Sequence, residues 1–246
     1  MQIITTKQHK LDKSRDKGVL TAGIQLSPAH EARAVLNRPD LRTVCPFSGA
    51  CEVGCLKFTG LNQMSTHALA RAKRTALYWD NPTAFYDQVI RELHAVERKA
   101  FWHNLTFAIR PNMLQDLPPL ADRIAREFPD AAVYDYTKIP APWRRTRKLA
   151  NYTIAYSVSE RSTNRQIRDC VRHGINCAVI FDTGKGEPLP STYTLAGHTL
   201  PVIDGDVSDL LYTYPDGVWI GLRWKGSRAR LAEGISAGWV RSAAGR

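Results

Sequence analysis

The hydrophobic pattern of the chain alternates between short, continuously apolar runs and longer amphipathic ones. The apolar runs fall at 18–26 (GVLTAGIQL), 104–111 (NLTFAIRP), 131–139 (AAVYDYTKI), 151–159 (NYTIAYSVS), 176–182 (NCAVIFD), 199–205 (TLPVIDG) and 217–226 (GVWIGLRWKG). Between them, helical periodicity runs from Met64 to Tyr78 and through 81–100, where Asn81-Pro82 opens a helix with Phe85, Val89, Ile90, Leu93 and Val96 on one face. Two further helices are expected at 118–128 and 162–174, the latter closed by Gly174. Continuously apolar strands mark parallel strands covered on both faces, and strand–helix alternation predicts a parallel α/β fold. The connections around 183–198 and 206–216 look short or irregular, so the expectation is a partial parallel (β/α) barrel of about six or seven strands. Three divisions follow: a basic N-terminal segment at 1–16, a single barrel domain at 17–228 and a C-terminal tail at 229–246.

The strand ends repeat a chemical theme. Arg110, Asn112 and Asp116 follow the second run, Asp135, Thr137 and Lys138 end the third, and Ser157, Ser159 and Glu160 end the fourth. Asp182 ends the fifth, Asp204, Asp206 and Asp209 follow the sixth, and Arg223 and Lys225 end the seventh. In a parallel barrel these ends face one mouth, where active sites sit.

Composition narrows the setting. The 246 residues are 43% hydrophobic, enough for a core, and no apolar run approaches the ~18 residues of a membrane span. The opening MQIITTKQHKLDKSRDK lacks the apolar run of a signal peptide, so a soluble, cytoplasmic protein is expected. In that reducing compartment clustered cysteines serve as metal ligands or catalytic thiols more often than as disulfides. The net charge of +11 points to a polyanionic partner, a nucleotide or nucleic acid, and the lack of an apolar span to no membrane.

Three of the five cysteines, Cys45, Cys51 and Cys55, share the loop VCPFSGACEVGCLKF directly after the first run. Three thiolates can hold a [4Fe–4S] cluster by three irons and leave the fourth open to S-adenosylmethionine, as radical enzymes require. A zinc site completed by His30 or His67 is the alternative, although the x5 and x3 spacings match no common zinc-finger pattern. Buried thiols are the third reading, and it fits Cys170 and Cys177 best. The aspartates at 204, 206 and 209 could also hold Mg2+.

The segments IQLSPAHEA, CPFSGACEVGCLKFTG, ARAKRTALYWDNPTAFYDQVIREL, RPNMLQDLP, VYDYTKIP, NYTIAYSVSE, AVIFD, VIDGDVSDL and GVWIGLRWKG occur in an order that resembles the phage-encoded gene product eighty-eight-like family. The likeness covers roughly residues 17–228 and implies phage origin, hence the host cytoplasm, and a shared site rather than a reaction. Where that family often reads R-L-N-G-T-S-D, this chain has Arg110-Pro-Asn-Met-Leu-Gln-Asp116. A looser, fold-level likeness is to radical S-adenosylmethionine enzymes, whose usual C-x3-C-x2-C spacing the chain lacks.

Two arginine clusters complete the candidates. Arg161, Arg165, Arg168 and Arg172 fall on one helical face, and WRRTRK adds Arg144, Arg145 and Arg147 beside Trp143. Both suit phosphate contacts, with the aromatic ring available to stack a base. The leading expectation is a phage iron–sulfur enzyme acting on a nucleotide or nucleic acid. Cys45, Cys51 and Cys55 would hold the metal, Arg110, Asn112, Ser157 and Ser159 would bind the cofactor, and Asp135, Lys138 and Asp204 would serve catalysis. The alternative is a non-catalytic nucleic-acid-binding protein with a structural zinc site.

Overall fold

A computed structural model describes residues 1–7, 9–52, 54–58, 60–140 and 149–244. The chain is mixed α/β, with mostly parallel strand pairs and helices between them. It divides into two compact units. The first comprises Met1–Pro46, Gly60–Asp135 and Lys148–Thr153; the second comprises the described residues of Phe47–Thr59, Tyr136–Arg147 and Ile154–Arg246.

The first unit carries β1 (Ile4–Thr5), α1 (His9–Arg15), β2 (Val19–Ile24), α2 (Ala29–Leu36), α3 (Ser65–Asp80), α4 (Pro82–Trp102), β3 (Thr106–Arg110), α5 (Pro118–Glu127) and most of β4 (Ala132–Thr137). All six residues of β2 are buried, as its unbroken apolar run predicts. β2 pairs parallel with β3, Val19 opposite Thr106 through Gly23 opposite Arg110, and β3 pairs parallel with β4. β1 adds an antiparallel strand on β2. The segment expected as a basic N-terminal extension thus contributes β1 and α1, with Ile3, Ile4 and Leu11 buried.

Asn81 separates α3 from α4 by serving both. Its backbone ends α3, and its side chain accepts from the Ala84 N–H at 3.0 Å, with Pro82 in the first turn where no N–H is needed. The buried face of α4 is Phe85, Val89, Leu93 and Ala100. α5 buries Leu120, Ala121, Ile124 and Ala125. Helix α2 was not anticipated. It docks on α3 through Ala32, Leu41 and Ala72, and through an ion pair of fully buried Arg71 with Glu31 at 3.0 Å.

The second unit carries most of β5 (Tyr152–Ser157), then α6 (Asn164–Arg172), β6 (Cys177–Phe181), β7 (Thr192–Leu195), β8 (His198–Asp204), β9 (Trp219–Arg223), α7 (Arg228–Ser236) and β10 (Val240–Arg241). β6 pairs parallel with β9, and β9 pairs parallel with β8. The irregular connection expected at 183–198 contains β7, which forms an antiparallel hairpin with β8. Its two-residue turn, Ala196-Gly197, has positive φ at both positions, 52° and 85°, as a primed turn requires. β5 pairs with the first half of β6 only, at Tyr156–Cys177 and Ser157–Ala178. β10 pairs with the second half, at Val240–Ile180 and Arg241–Phe181. The region expected as a C-terminal tail therefore supplies α7 and β10.

The seven predicted strands and four predicted helices all form. The pairing establishes a mostly parallel α/β arrangement and goes no further toward a barrel or a radical-S-adenosylmethionine-like architecture. Among the described residues no helix is long and apolar enough to cross a membrane.

Candidate functional site

In the first unit the parallel strands β2 and β3 end at Ile24 and Arg110, β4 runs within it as far as Asp135, and Arg110, Asn112 and Asp135 lie along these strand ends. Asp135 is fully buried. Its carboxylate accepts the Asn112 backbone N–H at 2.9 Å, the Asn112 side-chain amide at 2.8 Å and the Tyr152 hydroxyl at 2.9 Å. Asn112 in turn ties the loop after β3, accepting the Leu117 N–H at 3.1 Å and donating to the Leu117 carbonyl at 3.3 Å. Gln115 does the same for β2, accepting the Leu26 N–H at 3.0 Å and donating to the carbonyls of Ile24 and Pro111. Arg110, at the end of β3, is buried. Cys45 also belongs to this unit, and its thiol donates to the Leu114 carbonyl at 3.3 Å.

The second unit holds Cys51, Cys55, Lys138, Ser157, Ser159 and Asp204, so the predicted site residues and the three cysteines are distributed over both units. The cysteine loop is fastened at two points within this unit. Glu160 accepts the Ala50 N–H at 3.0 Å, so tightly that a Cβ on Gly49 would meet its carboxylate. Further on, Gly54 faces the edge-to-face pair Trp224 and Trp239, whose ring centroids lie 5.8 Å apart; a Cβ there would come within 2.5 Å of Trp224 and 2.8 Å of Trp239. Ala50 and Cys51 pack against the same tryptophans. Burial pushes the Cys55 thiol pKa up, partly offset by the Lys57 backbone N–H, while neighbouring Cys51 adds to the rise. The ring of Phe58 lies under the Arg230 guanidinium at 3.7 Å.

Ser159 is buried, and its backbone N–H donates to Ser162 Oγ at 2.9 Å, which is also 2.8 Å from the Tyr156 hydroxyl. Ser157 is half-buried at the end of β5. The aspartates of VIDGD are neutralised rather than clustered for a cation. Arg223 reaches both oxygens of Asp204 at 2.8 Å, and its backbone N–H donates to Asp206 at 3.0 Å. Lys225 lies 2.6 Å from Asp206. Burial opposes the Arg223 charge, but the two carboxylates outweigh it and hold its pKa above the ordinary value. Asp204 and Asp206 are thus already engaged by the chain's own cations.

Among the described residues no three His, Cys, Asp or Glu side chains group closely enough to hold a metal ion. His30 and His67, the candidate fourth zinc ligands, are exposed on α2 and α3 of the first unit.

On α6 the arginine face forms as predicted. A Thr163–Gln166 capping box starts the helix, Ile167 and Cys170 are buried, and Arg165, Arg168 and Arg172 lie on the exposed side. Arg161 precedes the helix and pairs with Glu160 at 3.6 Å. Arg144, Arg145 and Arg147 lie outside the described residues.

A family profile described as Gene product 88 matches residues 3–238, nearly the whole chain. The protein belongs to the Gene product 88 family. That is the phage gene product family whose ordered motifs the sequence resembles, and the match extends into the first strand and through α7. No curated protein and no solved structure matches this family member.

Several residues that organise the Gene product 88 site escaped the sequence reading. Tyr152, Gln115, Trp224 and Trp239 carry no local signature of their contacts. Gly54 was visible as a glycine inside the cysteine loop, but its partners lie in distant segments.

Proposed function

We propose that this Gene product 88 protein binds nucleic acid through its phosphate backbone, with α6 as one contact surface. The carrying observation is the outer face of that helix. The side chains of Arg165 and Arg172 are 88% and 72% exposed, with exposed Arg168 between them. One carboxylate, Asp169, faces these three cations, at 3.9 Å from Arg165 and 3.2 Å from Arg172. Exposed pairs of this kind hold weakly, so the guanidiniums are available to phosphates. The net charge of +11 supports the same reading. A variant with Arg165, Arg168 and Arg172 changed to alanine keeps the helix, since alanine is the best helix former. It is expected to bind DNA more weakly, with a salt slope shallower by about one per lost contact. Unchanged affinity and slope would refute this assignment.

A second reading, an iron–sulfur or zinc protein and with it a radical S-adenosylmethionine enzyme on a partial barrel, draws support from the loop itself. Its three cysteines are half-buried, and none forms a disulfide. No chemical step is assigned to such a group. Iron, sulfide and zinc content of protein purified without oxygen decides it: about four irons and four sulfides per chain support the cluster, one zinc supports the structural site, and neither removes both.

A further inference from the structure

We infer that the C-terminal end of α4 is a stacking platform for single-stranded nucleic acid, an inference that rests on the nucleic-acid reading and names the strand form it takes. Phe101 and Trp102 are 77% and 80% exposed at the end of a 21-residue helix, their ring centroids 5.8 Å apart in an edge-to-face arrangement. Two adjacent large aromatics so open to water are costly, and contiguous apolar exposure of this kind marks an interaction site.

Helical geometry decides what surrounds the rings. The buried face of α4 ends at Ala100. At 100° per residue, Trp102 points almost directly away from it. The same outer line, at spacings of four, three and four residues, contains Arg91, Ala95 and Arg98, all exposed. Two cations therefore lead up to the indole over about 16 Å of helix, with a small residue between them that leaves room for a backbone. Lys99 sits one turn before Trp102 and is also exposed. After the helix the chain turns tightly into β3, where the Thr106 N–H donates to the Gly18 carbonyl at 2.9 Å and brings exposed Lys17 to this end. The acids nearby are fewer. Glu97 is engaged by His94 at 3.0 Å, Asp16 is exposed beside Lys17, and Asp87 lies at the far end of the line.

Charge complementarity selects the occupant. Arginine and aromatics also occur at the centres of protein–protein interfaces, but lysine is depleted there; aromatics interleaved with arginine and lysine match a single strand, whose bases offer π-faces and whose phosphates offer charge. A duplex keeps its π-faces stacked inside and presents only base edges.

The test is fluorescence anisotropy of a labelled oligothymidylate and of a labelled hairpin duplex, titrated with the full chain. In the Phe101→Ala/Trp102→Ala variant, single-strand affinity is expected to fall about tenfold or more, while the duplex is unaffected. The salt slope is expected to stay as in the wild type, because aromatic contacts release no counterions. Arg91→Gln/Arg98→Gln is expected instead to lower the slope. Single-strand binding by the aromatic variant equal to wild type overturns the platform. So does a change in self-association by sedimentation without a change in oligonucleotide affinity, which would make the rings a contact between copies. Wild-type protein that binds neither probe defeats the nucleic-acid reading and the platform with it. If the α6 variant loses binding and the aromatic variant does not, only the platform falls.

Discussion

Replacing Asp135 with alanine is the sharpest test of the buried network in the first unit. The carboxylate is fully buried and accepts from at least three donors, two from Asn112 and one from Tyr152, at 2.8–2.9 Å. Its removal leaves those donors in the interior, at about 1–3 kcal/mol for each that finds no new partner. The loop from Asn112 to Leu117 also loses its anchor on β4. Allowing for partial relaxation, Asp135→Ala should lose about 3–5 kcal/mol. Asp135→Asn keeps the volume and one acceptor but turns an NH2 group toward donors, so its loss should be about 1–3 kcal/mol. Tyr152→Phe removes a donor without stranding one and should cost about 1 kcal/mol. The assay is urea unfolding followed by far-ultraviolet circular dichroism. An Asp135→Ala protein within about 0.5 kcal/mol of wild type, the range of surface substitutions, would refute the reasoning. The carboxylate would then be a group held for chemistry or binding rather than a brace between β3 and β4.

Three further outcomes are expected. Gly54→Ala drives a methyl into Trp224 and Trp239, so overpacking should destabilise the second unit by about 1–3 kcal/mol, read as a lower thermal midpoint. Arg223→Ala removes the cation that holds both oxygens of Asp204 and should lower the midpoint by about 2–8 °C; adding Asp204→Asn should recover part of it. Because burial raises the Cys55 pKa, iodoacetamide at pH 8 should label that thiol more slowly in folded protein than in urea, as measured by peptide mapping. The sign for stability follows: folded Cys55 holds its proton to higher pH than unfolded Cys55. Its contribution is therefore complete below the unfolded pKa and is lost as pH rises toward the folded one. Equal labelling rates in the two states would contradict this.

Local rules reached far along this chain. The apolar runs located β2, β3, β4, β5, β6, β8 and β9; in β2 and β6 the strand is buried along nearly its whole length, and such a strand needs no partner's identity to be recognised. Periodicity and Asn81-Pro82 placed α3 and α4, and the pattern over 162–174 closed by Gly174 placed α6. The order of motifs gave the family. Short or weakly patterned elements were lost: β1, β7 and β10 run two, four and two residues, and they exist only because a neighbouring strand edge accepts them.

The site divides in the same way. Residue type and spacing alone determined that three cysteines share a loop, that arginines line a helix face, and that polar side chains follow the strands. Tertiary structure decided which of these meet. It set Cys45 on a backbone carbonyl in one unit and Cys51 against tryptophans in the other, and it matched Asp204 to Arg223 and Asp135 to Tyr152. Strands and helices follow from interactions a few residues apart, which a sequence displays directly. Partners contributed by distant segments depend on how the chain closes on itself, and no local pattern encodes that.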